Sequence, residues 1–262
     1  MKVLLSLTRL LAEPLTVFGD VRKALGDGNI RFLDARKHRQ AMDANGSNAD
    51  ALFIWIPKSA GTSISAAFES AGGQRLLSTE EIETYFKQRG LVTFGHLHIP
   101  ALIDAGLISH DFLSKAYKFT IVRNPFDRAV SLFEYLKQMQ YIPETTRFDL
   151  FCGYLEAEAW EKVGLINHDG LSQLNPQVKW LTDKTGKMFV DDIYRFETLA
   201  ESWPEIWRKA GIETPAPDLP QLNRSKRNDA KKYYSDKTVE IVQKVYQNDF
   251  ELLEYSTKPY WT

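Results

Sequence analysis

The sequence predicts an α/β fold in which a parallel β-sheet is flanked by helices. Short continuous apolar runs recur along the chain: ALFIWI at 51–56, LVTFGH at 91–96, YKFTIV at 117–122 and KMFVDDIYRF at 187–196. Such runs mark strands buried on both faces, as parallel strands are. Between them apolar residues fall at helical spacing, as Ile64, Ala67, Phe68 and Ala71 do, and then Phe126, Ala129, Val130 and Phe133. Strands alternating with helices are the order that a parallel sheet requires.

Each element follows from its own residues. MKVLLSLTRLLAEPLTVF, at the N-terminus, is interrupted by Arg9 and Glu13, too short and too charged to span a bilayer, and reads as an amphipathic helix. We expect residues 1–50 to form a helical extension packed on a domain of residues 51–262, with ANGSNAD as the loop between them and ARKHR (35–39) as a polar helix face. The strand ALFIWI stops at Pro57, and a helix over 61–71 is stopped by Gly72-Gly73. A second helix runs from past Pro125 to about Met139. ETLAESWPEIWRKAG reads as a third, with Pro204 a boundary or kink. A single long helix opened by Ser235 should carry Val239, Val242, Tyr246, Phe250 and Leu253 along one face.

Composition narrows the functional classes. The 262 residues carry a formal charge of −1, so no global field marks a nucleic-acid binder and any anion site must come from local clustering. The one cysteine, Cys152, excludes an internal disulfide framework and a cysteine-rich zinc site. That usage fits a reducing cytoplasm, which is the expected location. No metal-ligand spacing stands out, and no metal is expected.

The segment PKSAGTS (57–63) lies between a strand end and a helix start, where backbone N–H groups are unpaired and the helix dipole adds partial positive charge. Gly61 permits close approach of the backbone, Ser59, Thr62 and Ser63 offer hydroxyls, and Lys58 offers a full charge. These are the parts of a phosphate-binding loop, although the lysine precedes the glycine and the Walker A pattern is absent. The alternative is a strand-to-helix turn whose Ser and Thr satisfy the helix N-terminus. At the end of the 117–122 run stands Arg123, placed for bidentate phosphate contact, with Ser131 on the next helix able to share its ligand. The alternative there is an ion pair between Arg123 and Asp127.

Together IPKSAGTS and RNPFDRAVS resemble the two signature motifs of the sulfotransferases that use 3′-phosphoadenosine 5′-phosphosulfate (PAPS), in particular the carbohydrate branch that includes the heparan 2-O-sulfotransferases. The resemblance implies a P-loop-like parallel sheet flanked by helices in a single sulfotransferase-type domain. It implies that Lys58, Ser59, Ala60, Gly61, Thr62 and Ser63 bind the 5′-phosphosulfate and that Arg123 and Ser131, eight residues apart, bind the 3′-phosphate. TFGHLHIP (93–100) resembles the family's Gly-His segment, which makes His96 the general base and His98 the runner-up. QLNRSKRNDAKKYY (221–234) resembles the C-terminal loop that closes over the nucleotide, so Asn223, Arg224 and Ser225 are further donor contacts, and DDIYRFETL resembles the strand that ends in a glutamate. The resemblance spans about 51–256. Residues 1–50 and about 140–180 match nothing in it, and acceptor selection would be written there.

The expected reaction is in-line transfer of a sulfuryl group to an acceptor hydroxyl on a carbohydrate, governed by positioning and charge stabilisation. Lys58 would stabilise charge on the leaving phosphate, and a histidine of near-neutral pKa would take the hydroxyl proton. The partners are then a nucleotide donor and a hydroxyl-bearing acceptor, with no nucleic acid and no membrane span. The polar stretch with His168, Asp169, Asn175 and Gln177 is a candidate acceptor lining. Trp160, Trp180 and Trp203 are either sugar-stacking or core residues. Two other readings stand beside this one: an atypical nucleotide-dependent kinase, and a nucleotide-binding protein without catalysis. A Golgi-lumenal catalytic domain is the alternative location, because many members of the resembled family work there.

Overall fold

A computed structural model describes residues 51–77, 81–82, 92–108, 110–159, 167–168, 171–219 and 229–262. The expected N-terminal extension over 1–50, with its ARKHR segment, lies outside the described residues, as do Trp160, Asp169, Asn223, Arg224 and Ser225.

The first strand, β1, is Ala51–Ile54, and Pro57 shortly after it has no N–H with which to extend the ladder. The helix α1 follows at Gly61–Ser70, then β2 at Gln74–Leu76 and β3 at Val92–Phe94. Two short helices, α2 (Ile99–Asp104) and α3 (His110–Lys115), lead into β4 at Tyr117–Val122. Pro125 opens α4, Pro125–Gln138, at the first-turn position where its missing N–H costs nothing. Next come α5 (Phe148–Glu156) and a two-residue antiparallel pair, β5 (Asn167–His168) with β6 (Leu171–Ser172). A 3₁₀ turn at Gln177–Trp180 precedes β7 at Asp192–Arg195, which runs through a second 3₁₀ turn into α6, Leu199–Lys209. The chain closes with a 3₁₀ turn at Ala230–Tyr233, α7 (Asp236–Val245) and α8 (Gln247–Leu252).

The main sheet has the order β2-β3-β1-β4-β7 and every pairing in it is parallel. Alternate residues of β1 feed two cores. Leu52, Ile54 and Ile56 pack with residues of α4, α5, α7 and α8, while Ala51, Phe53 and Trp55 pack with α1 and α6. On the second face Phe68 stacks on Trp207 at 5.5 Å, and Trp203 and Trp207 satisfy their indole N–H groups on the carbonyls of Pro217 and Thr214. From β1 the chain goes toward β2 at one edge, and from β4 toward β7 at the other, so the loops after β1 and β4 diverge. A crevice at the strand ends forms at such a switch point.

The structure departs from the expected elements in four places. β2 lies where no strand was anticipated. The 187–196 run is a strand only over 192–195, its earlier part held instead by a bridge from Met188 to Thr182. Helix α6 continues past Pro204, which is therefore not its boundary. The long C-terminal helix breaks at Tyr246, whose buried hydroxyl donates to the carbonyl of Leu174 at 3.0 Å. Ser235 does open it, in a capping box with Thr238. Among the described residues no helix is long and apolar enough to cross a membrane.

Candidate active site

The loop from Trp55 to Ala60 carries the chain from the end of β1 to α1. Lys58 and Ala60 both adopt the left-handed region, at φ 69° and 62°. Such backbone costs on the order of 1–3 kcal/mol per non-glycine residue and collects at ligand-binding loops. No side chain caps α1 and no acidic residue stands in its first turn. That arrangement leaves a helix N-terminus suited to an anion, and the alternative of a turn capped by its Ser and Thr is not how it is built. Gly61 is required here for space: a Cβ would run into the Trp55 indole. Ser59 and Ser63 are buried, while Thr62 and Ala60 are half-buried.

Lys58 is half-buried, with its ammonium 4.2 Å from the centre of the Tyr135 ring. Burial, reinforced by the neighbouring charge of Arg123, lowers its pKa from 10.5 to about 8. The described residues place no carboxylate in an ion pair with it, and a phosphate or sulfate beside it would raise the value again.

Arg123 sits at the C-terminal end of β4, buried, and donates through Nη1 to the carbonyl of Lys58 at 3.2 Å. Its guanidinium lies 4.3 Å from the centre of the Phe196 ring. Ser131 is buried on α4, between Arg128 and Tyr135 on one helical stripe. Asn124 caps α4 through Phe126 N–H, and Asp127 accepts the Tyr260 hydroxyl at 3.0 Å.

His96 follows β3 at φ 66°. Its Nδ1 lies 3.1 Å from the carbonyl oxygen of Trp55 and its ring 4.7 Å from the Trp55 ring. A carbonyl can only accept, so Nδ1 carries the proton and Nε2 is the basic nitrogen of the neutral ring. His98 is placed differently. It is the N-cap residue of α2, with its ring edge toward the buried Trp180, so the two histidines do not share a strand face.

The residues that hold these groups together are ones the sequence did not single out for that role. Gln177, fully buried, accepts the Arg123 N–H through Oε1 and donates to the Arg123 carbonyl through Nε2, both at 2.8 Å. The same Oε1 accepts the Ser59 hydroxyl at 3.4 Å. Asp249, on α8, accepts from the backbone N–H of Gln177 at 2.8 Å and of Val178 at 3.0 Å. Burial pushes the Asp249 carboxyl up, while Arg128 and the amide donors pull the other way. Arg128, fully buried, donates to the carbonyls of Pro57, Gln173 and Asn175. Glu197, the glutamate that ends the DDIYRFETL segment, accepts Asn124 N–H at 2.7 Å and the Tyr255 hydroxyl at 3.0 Å.

These contacts reassign part of the expected acceptor lining. Asn175 and Gln177 are buried and spend their amides on backbone: Asn175 accepts Ser172 N–H at 2.7 Å. Trp180 and Trp203 are core residues, at 1% and 4% exposure, so neither offers a face to a sugar. Cys152 is buried, its thiol pushed up to about 12 chiefly by desolvation. Among the described residues no cluster of three His, Cys, Asp or Glu side chains could hold a metal ion.

Comparison with known proteins bears on this site. The pattern of the family described as "Sulfotransferase family" matches residues 47–256. No curated protein matches the chain. Among solved structures, mouse sulfotransferase SULT7A1 complexed with PAP is similar at a TM-score of 0.47 and 15% identity, over 86% of this chain and 95% of that one.

Proposed function

The chain belongs to the sulfotransferase family, and from that premise we propose that it moves a sulfuryl group from PAPS to a hydroxyl of a carbohydrate acceptor. The observation that carries the donor assignment is the convergence of Lys58 and Arg123, from two adjacent strand ends, beside an uncapped helix N-terminus. An adenosine nucleotide with a 5′-phosphosulfate and a 3′-phosphate fits such a donor set. When bound it supplies an activated S–O bond. Lys58, Ser59, Ala60, Gly61, Thr62 and Ser63 surround the 5′ end, and Arg123 and Ser131 take the 3′-phosphate. The motif resemblance supports the carbohydrate class of acceptor.

The chain's own groups divide the chemistry. The acceptor hydroxyl gives its proton to Nε2 of His96 as its oxygen forms the new bond to sulfur. The bond from sulfur to the bridging phosphate oxygen breaks, and the charge on that oxygen falls to Lys58 and the loop N–H groups, fixed in advance by the left-handed residues 58 and 60. The sulfated acceptor and adenosine 3′,5′-bisphosphate leave.

The test is calorimetric titration with adenosine 3′,5′-bisphosphate, AMP and ATP, on wild type and Arg123→Ala. Tight binding that needs the 3′-phosphate and collapses in Arg123→Ala supports the reading. No preference for the bisphosphate over AMP or ATP overturns it and favours the kinase.

A further inference from the structure

We propose that Gln177 is a positioning residue that sets the relation between the two anion-binding elements of the donor site. The inference rests on the donor-site reading above. Ser59 belongs to the β1–α1 loop, and Arg123 to the end of β4. Gln177 touches both. Its amide brackets Arg123 at N–H and carbonyl together, fixing the residue directly after the strand ends. With its third contact, to Ser59, one side chain spans the elements assigned to the two phosphates.

Gln177 is itself held from behind. Asp249 accepts its backbone N–H at 2.8 Å and its Nε2 at 3.3 Å, so the amide orientation is determined: reversed, it would face donors with donors. Arg128 ties the preceding residues, Gln173 and Asn175, to Pro57 of the same loop. The segment 173–178 is thus clamped between α4 and α8, and Gln177 projects from it with no solvent exposure.

The functional consequence concerns selectivity. A nucleotide with two phosphates on one ribose gains from both elements only when their separation matches its own, whereas AMP engages one of them. Loosening Arg123 relative to Ser59 therefore weakens the bisphosphate more than AMP.

The experiment compares the Kd values of adenosine 3′,5′-bisphosphate and AMP for wild type, Gln177→Met, Ser59→Ala, Arg123→Ala and the double variant of Gln177→Met with Arg123→Ala, with a thermal melt of each. Gln177→Met removes the whole bracket. Ser59→Ala cuts the span at its loop end and leaves the bracket on Arg123 in place, and so remains informative if the first variant does not fold. We expect the AMP-to-bisphosphate Kd ratio to fall about tenfold or more in Gln177→Met and to fall in Ser59→Ala, and to fall little further when Arg123→Ala is combined with Gln177→Met. A lowered Tm with the ratio unchanged, or losses that simply add to those of Arg123→Ala, overturns the proposal and leaves Gln177 a structural residue. If wild type itself shows no preference for the bisphosphate, the donor-site reading fails, and this inference with it.

Discussion

The guanidinium of Arg123 donates to the backbone carbonyl of Lys58 at 3.2 Å, joining the loop after β1 to the end of β4. The same proximity places two cations together with no described carboxylate paired to the lysine, and the lysine's pKa falls to about 8 in consequence of burial and of that neighbour. A site that holds two cations this close is preorganised for an anion, and its cost to the free protein is measurable.

The proton balance of Lys58 gives the first prediction. Its folded pKa is below its unfolded value of 10.5, so between about pH 8 and 10.5 the unfolded chain binds more protons and stability from this group rises with pH. Lys58→Met should raise Tm at pH 7, and the gain should shrink as pH approaches 10.5. Binding of a phosphate dianion restores the charge. Calorimetry at pH 8 in buffers of different ionisation enthalpy should therefore show uptake of about half a proton, and at pH 6.5, where the lysine is already charged and phosphate monoesters are partly protonated, net release.

His96→Asn separates chemistry from binding. Asparagine tolerates the left-handed backbone at this position and can donate to the Trp55 carbonyl, so the loop should persist. Turnover should drop by about 10²–10⁴-fold, the usual contribution of a general base, with the Kd for adenosine 3′,5′-bisphosphate unchanged. Retained turnover would transfer the role to another group, His98 first.

Gly61→Ala puts a methyl group into the Trp55 indole. Overpacking of this kind costs about 1–3 kcal/mol. Trp55→Leu should relieve it, so the double variant should unfold at a higher denaturant concentration than the two separate losses add to. Strict additivity in that cycle would show that the loop yields without reference to Trp55.

Asp249→Ala tests the anchor of the network. It strips the acceptor from the Gln177 and Val178 N–H groups in a fully buried place. Denaturant unfolding should show a loss of about 1–3 kcal/mol for each buried donor left unsatisfied. A near-neutral result would mean that water or another group replaces the carboxylate.

Local chemistry was legible in the sequence wherever one stretch contains all of its own determinants. The β1 run, the turn after it into α1 and the start of α4 were legible from adjacent residues, although β1 ends at Ile54, short of the expected stop at Pro57. Arg123 at a strand end and His96 after another were found in the same way. β2 was not, because three residues after Gly72-Gly73 make a strand only when a neighbour is present to pair with. Tyr246 fits the helical stripe it was assigned to, yet the helix breaks there, with the hydroxyl bonded to the distant Leu174 carbonyl.

The partners of the site residues belong to another kind of fact. Arg128 looks like one more exposed helix arginine, and Gln177 like one more polar residue in a polar run. Gln177 and Asp249 stand 72 positions apart, and Ser59 and Gln177 stand 118 apart. The sequence by itself determined the parallel α/β class and the places of Lys58, Arg123 and His96 after strand ends, because those depend on local backbone geometry and side-chain type. Only the tertiary structure decided which His96 nitrogen is basic, that Lys58 loses proton affinity, and that one buried amide spans Ser59 and Arg123. Those properties arise from desolvation and from hydrogen bonds across distant segments, and neither exists until the chain has folded.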